Sequence, residues 1–268
     1  MKRVVAILCV RDEAMMLRHS LAHLHREGID FHIMNDNSND ESIAIAESFA
    51  GRGLVGISSL PPSPFFDLGR CLAYKEEVSR TLDADWFMHA DADEFRTSNR
   101  PGERLIDAIT RIDREGFNTV NFQEFTFIPT LDDPDHHPDR FLDTMRGYYP
   151  FLPAPLHRLN TWKNRGEPVD LSSDAGHRIR MPGLHIYPES LPLRHYLYIS
   201  RKHFASKYAG RRHRTDELDK AWHGWRESAD ENLFYAAPAA LLRRFNPLEP
   251  WRMDARDPLR RHLVETRP

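Results

Sequence analysis

The chain has 268 residues, of which 40% are hydrophobic and 29% are charged, and its formal net charge is −3 with histidine neutral. This composition predicts a soluble globular protein with one sizeable α/β domain, and the near balance of charge argues against a nucleic-acid partner. The apolar start, residues 4–10, is too short for a transmembrane helix or a secretory signal, so we expect a cytoplasmic protein.

Strand and helix patterns alternate through the first hundred residues. An apolar run over residues 3–10 is typical of a buried parallel strand, and residues 14–28 show apolar positions at helical spacing with Gly28 as the stop. The pattern then predicts strands over residues 29–36, 54–58 and 86–88. Helices are predicted between them, over residues 38–51 and 69–82. Such alternation predicts a mostly parallel central sheet flanked by helices, which binds ligands at the carboxyl ends of its strands.

The second half has a different pattern. A helix near residues 102–114 precedes a β-rich run over 117–129, and a loop without helical period follows over 130–141. Short strands and turns alternate from 155 to 199, and the remaining residues carry Arg-rich helical patterns. We therefore predict one domain with three parts, two halves and a helical C-terminal extension: residues 1–100, 101–200 and 201–268.

An acidic cluster, Asp91-Ala92-Asp93-Glu94, directly follows the last strand of the first half. Alternation along the strand places Asp91 and Asp93 on the same face, just past the apolar run. Two carboxylates on one face are typical ligands of Mg²⁺ or Mn²⁺, which keep open positions for substrate phosphates. The alternative is a solvated acidic turn.

Three segments together resemble family 2-type glycosyltransferases: residues 10–30, the stretch "NDNSNDES" at 35–42 and the stretch "HADADEF" at 89–95. The last resembles the D-x-D motif of a subgroup in which the second Asp begins a D-E-F ending. Asn35 and Glu41 depart from the family's pattern, where Asp and Gly are usual. The resemblance implies a GT-A fold and transfer of a sugar from a nucleotide-diphosphate donor, with UDP-sugars as the commonest donors.

Residues 1–100 would then form the nucleotide-sugar-binding half and residues 101–200 the acceptor-binding half. At the donor end, a carboxylate at Asp36 would accept a hydrogen bond from the ring N–H of the base. Arg11 and Glu13 follow the first strand beside the same crevice, and Arg70 would pair with a phosphate.

At the acidic cluster, Asp91 would meet the ribose or the metal, and Asp93 the metal. The resemblance implies a third metal ligand from the C-terminal half, for which we favour His195 over His185. The cation, Mn²⁺ or Mg²⁺, would neutralise the charge that develops on the leaving diphosphate.

Inverting sugar transfer also needs a general base for the acceptor hydroxyl, usually a carboxylate. The candidates are Glu124, Asp170 and Asp174, and we favour Asp174 because it lies in a loop before Gly176. The alternative for each is a loop carboxylate that makes turn hydrogen bonds. The expected acceptor is a carbohydrate or a lipid-linked molecule, and the Arg-rich C-terminal region allows peripheral contact with the inner face of a membrane.

Two other functions fit parts of the pattern. A non-catalytic nucleotide- or carbohydrate-binding protein would keep the same crevice. A nucleotidyltransferase would share the acidic strand end, but it normally has a Gly-rich phosphate loop after the first strand, and "CVRDEAMM" contains no glycine. The sequence gives no indication of oligomeric state.

Overall fold

A computed structural model describes residues 2–209, 211–220, 222, 226 and 228–266. The strands in these ranges are Val4–Val10 (β1), Asp30–Asn35 (β2), Leu54–Ser59 (β3), Trp86–Ala90 (β4), Glu94–Arg96 (β5), Thr119–Phe127 (β6), Gly147–Phe151 (β7), Leu159–Lys163 (β8), Leu191–Tyr196 (β9) and Arg243–Arg244 (β10). The helices are Ala14–Arg26 (α1), Ser42–Glu47 (α2), Leu68–Thr81 (α3), Leu105–Arg114 (α4), Phe141–Thr144 (α5), Arg201–Tyr208 (α6) and Thr215–Asp219 (α7).

The first half of the chain forms a parallel sheet in the order β3-β2-β1-β4. β1 alternates its side chains between two apolar layers, so both of its faces are covered. Val4, Ala6 and Leu8 pack in the layer that holds residues of α1 and α4, whereas Val5 and Ile7 pack in the layer that holds residues of α3. This double coverage explains why β1 is an uninterrupted apolar run.

The second half extends the sheet with mainly antiparallel pairings. β8 lies between β4 and β6 and is antiparallel to both. β6 is long enough to pair with three strands, since it also runs antiparallel to β7 and parallel to β9. β9 in turn pairs with β5, and this pairing places Glu94 opposite His195. The second half therefore lies directly against the acidic segment that follows β4.

The prediction of an α/β fold with helices flanking a central parallel sheet is confirmed. The strands and helices expected in residues 1–100 are present, with α2 shorter than the segment 38–51. The acidic segment differs from the expectation, because Ala90 ends β4 and Ala92 and Asp93 lie in a turn before β5. Asp91 and Asp93 face the same cleft through this turn, not through strand alternation.

The C-terminal region contains α6, α7 and short 3₁₀ turns among its described residues. Residues 221, 223–225 and 227 of the helical pattern expected over 216–228 lie outside the described residues. No helix in the described ranges is both long and apolar enough to cross a bilayer. The division of the chain into donor half, acceptor half and extension stays a prediction.

Candidate active site

A cleft opens at the carboxyl ends of β1, β2 and β4. Arg11 and Glu13 line it after β1, Asp36 after β2, and Asp91 and Asp93 after β4. Because β2 and β4 lie on opposite sides of β1, the strand order reverses here, and open α/β sheets bind ligands in such a crevice.

At one end of the cleft, Asp36 is held by two arginines. Its carboxylate is 1% exposed and lies 3.0 Å from Arg11 Nη2 and 2.8 Å from Arg70 Nη2. Arg11 Nε also donates to the Asp36 carbonyl oxygen at 2.8 Å, and Arg70 Nη1 donates to the carbonyl oxygen of Pro61 at 2.7 Å. The predicted residues Arg11, Asp36 and Arg70 therefore come together, with Arg70 supporting Asp36 and not among the residues found to line the cleft.

At the other end, the turn after β4 is tied down by Lys75 of α3. The ammonium of Lys75, whose residue is 1% exposed, lies 3.0 Å from His89 Nδ1 and 3.0 Å from the carbonyl oxygen of Ala90. It also lies 3.5 Å from Asp91 Oδ1, and the Asp91 side chain is 48% exposed toward the cleft. Burial raises the pKa of Asp91, but Lys75 and then His89 outweigh it and hold that pKa below its usual value.

Asp93 has two cationic partners that come from the second half. The ammonium of Lys207, on α6, contacts Asp93 Oδ2 directly, and His195 Nε2, on β9, lies 3.2 Å from the same oxygen. Burial raises the pKa of Asp93, but Lys207 and then His195 overcome this and keep the pKa well below its usual range. The carboxylate is therefore ionised and salt-bridged, and Lys207 and His195 both line the cleft beside it.

His195 joins Asp93 to a second buried carboxylate. Its Nδ1 lies 2.7 Å from Glu124 Oε1, so the ring sits between two negative charges. Burial lowers the pKa of His195, but Asp93 and then Glu124 more than offset this effect and raise the pKa to about 10. Both ring nitrogens then carry protons and donate, which makes His195 an imidazolium at neutral pH.

Arg158 joins this network to the acidic segment through two glutamates. Its Nε donates to Glu124 Oε2 at 2.7 Å, and its Nη1 lies 3.3 Å from Glu94 Oε1. Glu94 accepts a bond from Arg96 Nη2 at 2.7 Å and another from the backbone N–H of Asp91 at 3.3 Å. The glutamate of the D-x-D-E segment therefore fixes the turn from behind.

No family model and no curated protein matches the chain. Among solved structures, the chain is similar to residues 1–349 of S. aureus TarS in complex with UDP, at 11% identity and a TM-score of 0.44, over 73% of this chain and 61% of that one. A second structure of TarS 1–349 gives 10% identity and a TM-score of 0.44 over 84% and 73%, and a complex with UDP-GlcNAc gives 11% and 0.42 over 72% and 58%.

None of the three predicted base candidates, Glu124, Asp170 and Asp174, is among the described residues that line this cleft. Asp170 accepts hydrogen bonds from the backbone N–H and the hydroxyl of Ser173. Glu124 is 1% exposed and lies behind His195. The Asp174 side chain is 27% exposed and accepts a bond from Arg178 Nε at 2.8 Å. Its neighbour Ala175 lines the cleft, so Asp174 lies one residue from the rim. The roles of all three residues stay predictions.

The sequence prediction missed the cations that neutralise the acidic turn, namely Lys75, Lys207 and Arg158. The sequence does contain a signal for the two lysines, because both occupy apolar-face positions of α3 and α6. Lys75 shares the buried face of α3 with Leu72 and Ser79, and Lys207 shares the buried face of α6 with Phe204. A lysine at a buried helical position requires a partner, since burying an unpaired charge is costly.

A divalent cation is the remaining expectation at this site. Among the described residues, three metal-ligating atoms gather within 4.8 Å of one another only at Cys9, Asp36 and Cys71, where Asp36 is already salt-bridged to arginines. Ligand atoms from Asp91, Asp93 and His195 do not gather within this distance. His195 and Lys207 contact Asp93, and Lys75 neighbours Asp91. As arranged, these residues do not fit a divalent cation. The predicted cation stays a prediction.

Proposed function

We propose that this chain is a glycosyltransferase of GT-A fold that moves a sugar from a nucleotide-diphosphate donor to an acceptor hydroxyl with inversion. One observation supports this most strongly. At one end of the cleft at the strand-order reversal lies Asp36 with its arginine partners. At the other end lies the turn Asp91–Asp93, which is surrounded by cations. That arrangement suits a ligand with a polar base at one end and a diphosphate at the other.

The base would lie near Asp36. Its carboxylate oxygens contact Arg11 and Arg70, and Asn37 Nδ2 and Cys71 Sγ make longer contacts with them, at 3.4 and 4.0 Å. A ring N–H of the base would replace one of these longer contacts, and the arginines fix the orientation of the carboxylate. Asp91, with its half-exposed side chain in the cleft, is placed to accept a hydrogen bond from a ribose hydroxyl.

During transfer, the bond between the sugar's anomeric carbon and the diphosphate oxygen breaks, and the electron pair leaves on the diphosphate. The acceptor oxygen bonds to the anomeric carbon from the opposite face. Cationic groups beside Asp93 lower the energy of the developing negative charge because they are already oriented and desolvated. Lys207 and His195 are the groups in that position.

The acceptor's proton goes to a carboxylate base. We propose Asp174 for this role, since it adjoins the rim residue Ala175 and is partly exposed. Glu124 is the second candidate. It pairs with Arg158 and His195 and is almost fully buried, so its removal would act through the position of His195.

UDP and GDP are the ligands to test first, by calorimetric titration with Mn²⁺ and again with EDTA. We expect one of them to bind, and Asp91→Ala to weaken it roughly tenfold through loss of the ribose contact. The matched control is Asp83→Ala, because Asp83 is fully exposed in the loop before β4. Failure of both nucleotides to bind under every metal condition would contradict the proposal.

A further inference from the structure

Each carboxylate of the D-x-D turn has a lysine beside it. Lys75 lies 3.5 Å from Asp91 Oδ1, and Lys207 contacts Asp93 Oδ2. Both lysines come from helices, α3 and α6, and both are buried. The positive charge expected from a metal ion is therefore already present as two ammonium groups.

We propose that Lys207, and not a divalent cation, binds the donor's diphosphate, so that the transferase works without a metal. This inference rests on the proposed function. Lys207 would be a catalytic residue, since its ammonium would touch the leaving group.

The position of Lys207 suits this role better than that of Lys75. Lys75 has three polar neighbours for its three N–H groups, His89 Nδ1, the Ala90 carbonyl oxygen and Asp91 Oδ1. Within the described residues, Lys207 has two hydrogen-bond acceptors, Asp93 Oδ2 and the carbonyl oxygen of Leu197 at 3.3 Å. An ammonium has three donors, so Lys207 keeps one for a phosphate oxygen in the cleft that it lines.

The balance of charge around the turn leads to the same conclusion. Its carboxylates are Asp91, Asp93, Glu94 and Glu124, and the basic groups in contact with them include Lys75, Lys207, His195, Arg96 and Arg158. Lys75, Lys207, Arg96 and Arg158 already match these four carboxylates in number before His195 is counted. The turn therefore has no surplus negative charge to hold a dication, and a dication at Asp93 would be repelled by Lys207.

In the reaction, Lys207 neutralises charge and keeps its own proton. The bond from the anomeric carbon to the diphosphate breaks, the electron pair stays on the diphosphate oxygen, and the ammonium hydrogen bond to the diphosphate shortens. The acceptor oxygen forms the new bond and gives its proton to the carboxylate base. No oxidant or further reactant is needed.

The first test uses the wild-type protein. Metal content is measured by mass spectrometry on the purified protein, and UDP, GDP and their monophosphates are titrated in EDTA and in Mn²⁺. We expect no stoichiometric divalent metal, and nucleoside diphosphate affinities that agree within about twofold in the two buffers. This test needs no variant, so a folding defect cannot obscure it.

The second test changes the lysine. Lys207→Met should weaken the bound nucleoside diphosphate by roughly 10- to 100-fold, the loss expected for a hydrogen bond to a charged group. It should leave the matching monophosphate almost unchanged, whereas a general loss of structure would weaken both. Lys207→Arg should retain most of the affinity. Lys202→Met, at an exposed position of the same helix, is the matched control and should behave as wild type.

Two results would overturn the inference, and they differ. Diphosphate binding that requires Mn²⁺ and disappears in EDTA would leave the transferase proposal in place and show that a metal, not Lys207, holds the phosphates. Absence of nucleotide binding in both buffers would reject the transferase proposal itself. Equal loss of monophosphate and diphosphate binding in a folded Lys207→Met protein would assign Lys207 a structural role only.

Discussion

Two buried aspartates, Asp36 and Asp93, stand at opposite ends of the cleft, and they are held by different chemistry. Asp36 lies between two guanidinium groups that stay charged at any pH of interest. Asp93 lies between an ammonium and an imidazolium, both of which line the cleft. The first arrangement fixes a recognition group, and the second presents hydrogen-bond donors and positive charge to a ligand.

The two ends also differ in how far along the chain their partners lie. Arg11 and Arg70 are 25 and 34 residues from Asp36, within the parallel half of the sheet. His195 and Lys207 are 102 and 114 residues from Asp93. The Asp93 end of the cleft therefore forms only when β9 and α6 of the second half are in place. This requirement couples it to the folding of the whole domain.

Removing each carboxylate tests this difference most strongly. Asp93→Asn leaves the buried ammonium of Lys207 without its carboxylate and His195 with Glu124 alone, and it should lower the free energy of unfolding by about 3 kcal/mol. Asp36→Asn should cost less, because the side chains of Arg11 and Arg70 are each 19% exposed and reach water. Urea unfolding of both variants measures the two costs, with Asp83→Asn as the exposed control. Equal losses for Asp36→Asn and Asp93→Asn would show that the two ends are equivalent.

The pH dependence of stability should also separate the two ends. The pKa of His195 is raised to about 10 from an ordinary value of 6.5. Its contribution to stability is therefore complete below pH 6.5 and is lost as the pH rises through 10. We expect the wild-type protein to lose more unfolding free energy between pH 7 and pH 10 than His195→Gln does. Parallel pH profiles for the two proteins would contradict a protonated His195.

The smallest effect should come from the arginines at the Asp36 end. Arg11 lines the cleft and Arg70 supports Asp36 from outside it. Arg11→Gln should therefore weaken nucleotide binding several-fold more than Arg70→Gln, although both remove one ion pair to the same carboxylate. Calorimetric titration of the two variants compares them directly. A larger loss in Arg70→Gln would mean that the base does not approach from the side of Arg11.

The first half of the fold was predictable because its signals are local. A strand covered on both faces, such as β1, is a continuous apolar run. α1 ends at Arg26, two residues before Gly28, whose φ is 76°. The same locality predicted that Arg11 and Asp36 would lie beside one crevice, since the strand ends of a parallel sheet share one edge. Arg70, on α3, was predicted to pair with a phosphate, and its contact with Asp36 was not predicted.

The rest depends on contacts between distant segments. β5 has three residues, and its pairing with β9 has no local pattern. β6 reads as a β-rich run, but its sequence does not show that it pairs with β7, β8 and β9 together. For the same reason Asp93 was predicted as a metal ligand, while its contact with Lys207 was not predicted.

The most direct measurement is a crystal structure of the protein with the nucleoside diphosphate that binds it, grown in EDTA. The account predicts the base against Asp36 and Arg11, and a phosphate oxygen within hydrogen-bond distance of Lys207 Nζ. A nucleotide bound outside this cleft, or bound in it with the phosphates away from the turn at Asp91–Asp93, would contradict the account.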